Sequence, residues 1–174
     1  MESLALRSRR CRQLRLNIHP AADYRRVLDV LNCLYLPASV GNPENVKFAV
    51  LELISNSLRA HRERQVEQQV LTVLRWEDGH LTVTIRDFGG GFDPYSLPYD
   101  LEGDVRAVDP NGSRFQEYQK RNNFQRFGMG LLVARRVFPV FSLVFLDAAS
   151  RPVRWGEGEV SGTFIRMSTR EGQT

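Results

Sequence analysis

The sequence predicts an α+β fold, a two-layer sandwich in which helices cover one face of a mostly antiparallel sheet. Three observations point there. Segments with strand periodicity come in runs, as at residues 69–76 and 80–86, instead of alternating strictly with helices. Two longer segments, 23–35 and 45–66, carry apolar residues at helical spacing. A length of 174 residues, 42% hydrophobic and 25% charged, suits one domain with a substantial core and is too short for two of ordinary size. The expectation is a single domain over residues 1–174 with an ordered core from about residue 10 to residue 168.

Residues Gln13–Ile18 (QLRLNI) alternate apolar and polar side chains, the period of a half-buried strand, and His19-Pro20 ends it. In 23–35, Val27, Leu28, Val30, Leu31 and Leu34 recur at helical spacing, and Asp23 is placed to cap the first turn. Pro37, Gly41 and Pro43 mark residues 36–44 as a loop. The second helix, expected over 45–66, has an apolar stripe through Phe48, Leu51, Ile54 and Leu58. Strands at 69–76 and 80–86 follow, joined by the hairpin signal Glu77-Asp78-Gly79, so they should pair antiparallel. From residue 88 the chain becomes rich in glycine and proline, then polar and basic, up to residue 127. A loop of that length in a compact domain is commonly a functional lid, here expected over about 92–127. A short helix opened by glycines spans 128–138. Two more strands are expected at 141–146 and 160–167, joined by a polar loop with Pro152, Gly156 and Gly158.

The net charge is +4, and the first fifteen residues carry Arg7, Arg9, Arg10, Arg12 and Arg15. Such a balance suits nucleic acid, an anionic surface or an acidic ligand such as a nucleoside triphosphate, and equally a solvated basic face. No aromatic interleaving or nucleic-acid-reading motif accompanies these arginines, so nucleic acid is disfavoured. Cys11 and Cys33 lack metal-ligand spacing and suggest free thiols in a reducing compartment. Nothing approaches the ~20 apolar residues needed to span a bilayer. A cytoplasmic location without membrane contact is the expectation.

Four short elements carry chemistry. In FAVLELISNSLRAH, Glu52 and Asn56 are four apart, one turn from each other on one helix face. An asparagine oxygen is a ligand that magnesium accepts beside phosphate oxygens and water, and a glutamate can orient or deprotonate a nucleophile. The same pair also suits the polar face of any amphipathic helix. In IRDFGGGFD, Asp87 at a strand end can accept hydrogen bonds from an exocyclic amine, followed by Gly89, Gly90 and Gly91. A tight surface turn would look similar, but three successive glycines cost conformational entropy unless their geometry is used. In RFGMGLLVARRV, Gly128 and Gly130 precede an apolar helix whose free N–H groups would suit phosphates. There is neither a G-x-x-x-x-G-K-[ST] loop nor a strand-linked G-x-G-x-x-G. In SGTFIRM, Gly162 and Thr163 head a strand, where a hydroxyl could bond a base or a bridging water; alone, this is also an ordinary strand threonine.

Taken in order, these four elements resemble the N box, G1 box, G2 box and terminal Gly-Thr of the GHKL ATPase superfamily, which has the Bergerat ATP-binding fold of HATPase_c domains. Glu52 and Asn56 meet E-x-x-x-N; Asp87, Gly89 and Gly91 meet D-x-G-x-G; Gly128, Gly130 and Leu131 meet G-x-G-L. The resemblance spans the chain from the second helix to the last expected strand. It implies ATP and Mg2+ as cofactors, Asn56 as the magnesium ligand and Glu52 as the catalytic general base. It further implies that Asp87 binds the adenine amino group, with Thr163 helping through a water. Gly89 and Gly91 would shape the lid hinge, and Gly128, Gly130 and Leu131 would bring backbone amides to the phosphates. Arg114, Lys120, Arg121 and Arg126 are the candidate lid contacts to phosphate. His61, five residues after Asn56, is similar to an N-box histidine of anti-sigma-factor kinases and equally to a helix-end histidine.

The three histidines, His19, His61 and His80, are followed by Pro20, Arg62 and Leu81, so the His-acidic phosphoacceptor pattern of sensor kinases is absent. A stand-alone domain with a strand and a helix before the N box is similar to the anti-sigma-factor serine/threonine kinases. That resemblance implies ATP-dependent phosphorylation of a small antagonist protein, alternating with capture of a sigma factor or another regulator, and a homodimer. NSLRAH is also similar to histidine-kinase N boxes. A second expectation is therefore a catalytic domain acting in trans in two-component signalling, with a response-regulator-type partner. A third is a non-catalytic ATP-dependent binding module, against which the presence of both Glu52 and Asn56 argues.

Overall fold

The structure is a computed structural model that describes residues 3–7, 9–123 and 128–170. In chain order it comprises β1 (Leu4–Leu6), β2 (Arg9–Cys11), β3 (Gln13–Ile18), α1 (Tyr24–Asn32), β4 (Leu34–Tyr35), α2 (Pro43–Glu63), β5 (Val70–Glu77) and β6 (His80–Arg86). Then follow α3 (Ser113–Arg121), α4 (Met129–Val137), β7 (Val140–Leu146), β8 (Pro152–Val153) and β9 (Gly162–Ser168).

Six strands form one sheet in the order β3-β5-β6-β9-β7-β8, every neighbouring pair antiparallel. Its apolar face follows from period two. Leu81, Val83 and Ile85 of β6 stand opposite Trp76, Leu74 and Thr72 of β5. On the other side, Val83 and Ile85 stand opposite Met167 and Ile165 of β9, which in turn face Phe141 and Leu143 of β7. Helices α2 and α4 pack on each other, α2 against β5 and β6 and α4 against β7, which makes the second layer. Each Leu or Ile buried in that layer contributes about 1.5–3 kcal/mol.

Helix α2 starts two residues earlier than the sequence suggests. The Asn42 side chain accepts from the N–H groups of Glu44 and Asn45 at 3.0 and 3.2 Å. Pro43 takes the first helical position, where its missing N–H costs nothing. Phe48, expected in the apolar stripe, is 46% exposed. It lies on the face that carries Glu52 and Asn56, while Val46, Ala49, Val50, Leu53 and Ile54 fill the core.

The first helix ends at Asn32, not at residue 35, because Leu34 and Tyr35 pair with Leu6 and Ala5. This makes a second, three-stranded sheet in the order β2-β1-β4, with Leu4 fully buried. Residues 88–123 hold a short 3-10 turn at Pro94–Ser96 and helix α3, which buries Phe115 and Tyr118 three residues apart. The stretch before α3 is fastened to α4: Arg135 donates to the Leu101 carbonyl, and Arg136 donates to those of Val105 at 3.0 Å and Val108 at 2.6 Å. Among the described residues no helix is long and apolar enough to cross a membrane.

Candidate functional site

A cavity of about 420 Å³ opens between α2, the turn after β6, the start of α4 and the head of β9. Glu52, Asn56, Asp87, Gly89, Gly91, Gly128, Gly130, Leu131 and Thr163 all line it. Its size suits a nucleotide-sized ligand.

At one end sits Asp87, which continues the inward stripe Leu81-Val83-Ile85 one step beyond β6 and is 6% exposed. A carboxylate placed where the pattern otherwise puts an apolar side chain must be hydrogen-bonded to persist. Oδ1 accepts from the Gly89 N–H at 2.9 Å, and Oδ2 accepts from the Ser57 hydroxyl at 3.2 Å and from the Thr163 hydroxyl. Thr163 continues the inward stripe of β9, and its carbonyl accepts from the Asp87 N–H at 3.0 Å. The Thr163 hydroxyl thus bonds the carboxylate directly. Of the roughly four lone-pair positions on a carboxylate, one on Oδ1 has no donor among the described residues. Gly162 presses on the Asp87 carbonyl so closely that a methyl group there would overlap it.

His61 is fully buried and does not line the cavity. Its Nε2 accepts from the Phe88 N–H at 2.8 Å, which leaves the proton on Nδ1 to donate to the Gln68 carbonyl at 2.9 Å. Burial pushes its pKa below the usual histidine value, against the pull of Asp87. The neutral ring ties the turn after β6 to the end of α2.

The other end is built differently. Helix α4 starts from Gly128 in a left-handed conformation, and among the described residues no side chain caps it, an arrangement that suits an anion at its first-turn N–H groups. Gly130 packs against the Asn56 amide, and any side chain at 130 would displace Asn56. The Asn56 Oδ1 accepts from Arg59 Nη2 at 2.8 Å. Glu52 is half-buried; burial raises its pKa and Arg59 pulls the other way. Its charge also reaches Tyr24 of α1, whose phenol is raised first by burial and then by Glu52.

Among the described residues, Arg59 and Arg64 are the arginines that line the cavity. Of the lid cations named from sequence, Arg114 and Arg121 line an adjoining cavity of about 1430 Å³ between the pre-α3 segment and β7. Lys120 lines neither, and Arg126 lies outside the described residues. Sequence reasoning missed Ser57, Arg59, Tyr99 and Trp155. A serine on the buried face of α2 next to Asn56 was a usable signal. Trp155, which packs on Phe145 with ring centroids 5.3 Å apart, comes from a loop without periodicity.

A buried carboxylate at one end, and the start of α4 with Arg59 near Asn56 at the other, are a combination that suits a base joined to a phosphate chain. The sequence matches the family model of the histidine kinase-like ATPase domain over residues 19–143. No curated protein matches it significantly. The matched span is well over half of the 174 residues and includes Glu52, Asn56, Asp87 and all of α4. With its two-layer α/β architecture and this cavity, the chain belongs to the histidine kinase-like ATPase domain family, the ATP-binding GHKL group.

Proposed function

We propose that the protein is an Mg2+- and ATP-dependent kinase that phosphorylates a serine or threonine of a partner regulatory protein, as anti-sigma-factor kinases do. One observation carries this. Glu52, with raised proton affinity, stands one helical turn from Asn56 at the end of the cavity where the amides of α4 are open. A hydroxyl must shed its proton as it attacks phosphorus, so a carboxylate with raised proton affinity suits it. An imidazole attacks with a lone pair and needs such a base less.

In this scheme the acceptor oxygen bonds to the γ-phosphorus while the bond from that phosphorus to the β–γ bridging oxygen breaks. The hydroxyl proton goes to Glu52, and ADP leaves. Asp87 Oδ1 holds the adenine amino group, and the α4 amides with Arg59 hold the phosphates, while the Arg64 guanidinium lies against Gly90 in the turn after β6. Bound Mg2+ would neutralise phosphate charge. Among the described residues no cluster of three or more His, Cys, Asp or Glu could hold a metal, so Asn56 would share the ion with phosphate oxygens and water.

Thermal unfolding with ATP, with and without Mg2+, tests the site. Ligand at a hundred times its Kd should add about 2.7 kcal/mol. Asn56→Ala should lose the Mg2+-dependent part, and no stabilisation of the parent by any adenine nucleotide would sink the proposal. Transfer of label from γ-labelled ATP to proteins of a cell extract then identifies the acceptor class. An acid-stable product supports serine or threonine, an acid-labile one replaces it with histidine, and ATP binding without transfer leaves a binding module.

A further inference from the structure

Strand β7 has an open edge. It pairs with β9 along its whole length, from Val140 to Leu146, but with β8 only at Phe145 and Leu146. In an antiparallel ladder the N–H and C=O of one residue point to the same side, and those of the next residue to the other. Leu146 turns towards β9, since its carbonyl accepts from the Ser161 N–H at 2.7 Å. Asp147 turns towards β8, since its N–H donates to the Arg151 carbonyl at 2.9 Å. By that alternation the main-chain groups of Val140, Ser142 and Val144 are spent on β9, while those of Phe141 and Leu143 face outward. Among the described residues nothing bonds them. Proteins commonly blunt such an edge with a charge or a proline, yet Val140–Leu146 (VFSLVFL) carries neither.

This edge is one wall of the cavity of about 1430 Å³, and the pre-α3 segment with α3 is the other. The groove is continuous with the nucleotide cavity, because Ser96, Leu97, Tyr99, Tyr118 and Trp155 line both. Pro98 and Tyr118 stand at the junction, where a Cβ on Gly128 would lie 3.0 and 3.3 Å from them. The groove therefore opens beside the start of α4, at the end assigned to the phosphates.

We propose that the groove holds the acceptor segment of the protein substrate as an extended strand, added to the edge of β7 through main-chain hydrogen bonds to Phe141 and Leu143. Two residues with outward main-chain groups match a short extended segment. Pairing β7 with β7 of a second copy would instead bring two pre-α3 walls into one groove. The charged lining is balanced, with four arginines against four carboxylates among the described residues, so the main chain and not net charge sets recognition. A segment lying here runs to the start of α4, which brings a serine or threonine hydroxyl to the phosphate end. This inference rests on the kinase reading and names how its substrate is held.

The test uses the full chain, Mg-ATP labelled at the γ-phosphate and a library of short peptides with one central serine and mixed flanks. Leu143→Pro removes one outward N–H and leaves the β9 ladder whole, as proline is tolerated at a strand edge. It should raise the KM for peptides roughly two- to tenfold, the range for one lost hydrogen bond, with kcat and ATP affinity unchanged. An unchanged KM would overturn the inference. Peptides methylated on single main-chain nitrogens give a readout that does not depend on how the variant folds. Only every second N–H of an added strand points to β7, so methylation should impair phosphorylation at alternate positions and be tolerated between them. Equal tolerance at every position would overturn the inference, as would a parent that labels proteins of a cell extract but no peptide. A parent that binds ATP and labels neither sinks the kinase reading itself, and this inference with it.

Discussion

The two ends of the cavity are satisfied to very different degrees. Around Asp87, one carboxylate accepts three hydrogen bonds from Gly89, Ser57 and Thr163, and His61 uses both ring nitrogens to fix the adjoining turn. Around Asn56, the amide is held by a single arginine, Glu52 is only half-buried, and the N-cap position of α4 is a glycine with no side chain to offer. The first end is organised before any ligand comes. The second keeps its polar capacity open, which suits the part of a nucleotide that changes during a reaction.

The largest test of that contrast is His61→Ala. It empties the space of a fully buried ring and removes two part-buried hydrogen bonds, leaving the Phe88 N–H without its acceptor, so chemical denaturation should show a loss of about 2–3 kcal/mol at pH 8. The parent should also carry an acid-side signature. Its His61 pKa is lowered from 6.5 in the folded state, so the histidine contributes stability above that value and the contribution is lost as pH falls through the folded pKa. The variant should lack this slope; an unchanged slope would mean that another group is responsible.

A smaller effect is expected from Arg59→Ala at the open end, where the fold should lose well under 1 kcal/mol. With Asn56 Oδ1 released, ATP binding without Mg2+ should weaken several-fold and the gain on adding Mg2+ should grow, because a cation no longer competes for that oxygen. Titrations at two Mg2+ concentrations check this, and parallel losses at both would show that Arg59 acts only as a general positive charge. The smallest effect on stability is that of Glu52→Gln. Because the folded pKa of Glu52 is raised above 4.5, its stability contribution is present below that pH and lost as pH rises through the folded value. The amide should therefore be slightly more stable at pH 7, by ~0.5 kcal/mol or less after solvent screening, and equal to the parent in acid. Phosphate transfer should disappear while ATP binding stays.

Much of this was legible in the sequence where periodicity is local. The stripe Leu81-Val83-Ile85 runs straight into Asp87, so alternation by itself assigns that carboxylate to the helix-covered face. Glu52 and Asn56 followed from helical spacing in the same way. What stayed hidden depends on distant partners. Strands β2 and β4 have three and two residues, too few to show a period, and β4 exists only because Ala5 and Leu6 lie beside it. Helix α3 shows just Phe115 and Tyr118 as inward residues within a polar run. Pro43 looked like loop punctuation because its value at the first helical position depends on the Asn42 cap. Tyr99 and Trp155 sit in segments whose neighbours in space cannot be inferred from neighbours in sequence.

The position of β9 has a consequence for how the molecule is made. The last of the described strands enters fourth in a six-stranded sheet, between β6 and β7, and brings Thr163 to an aspartate 76 residues upstream. Closing so long a loop comes at an entropic cost before the contact is made, and contacts of this separation slow folding. During synthesis, β6 must therefore stand with an open edge until residues 162–168 have emerged, and a chain interrupted before them lacks the Thr163 donor to Asp87. Competence to hold nucleotide is in this way coupled to completion of the fold.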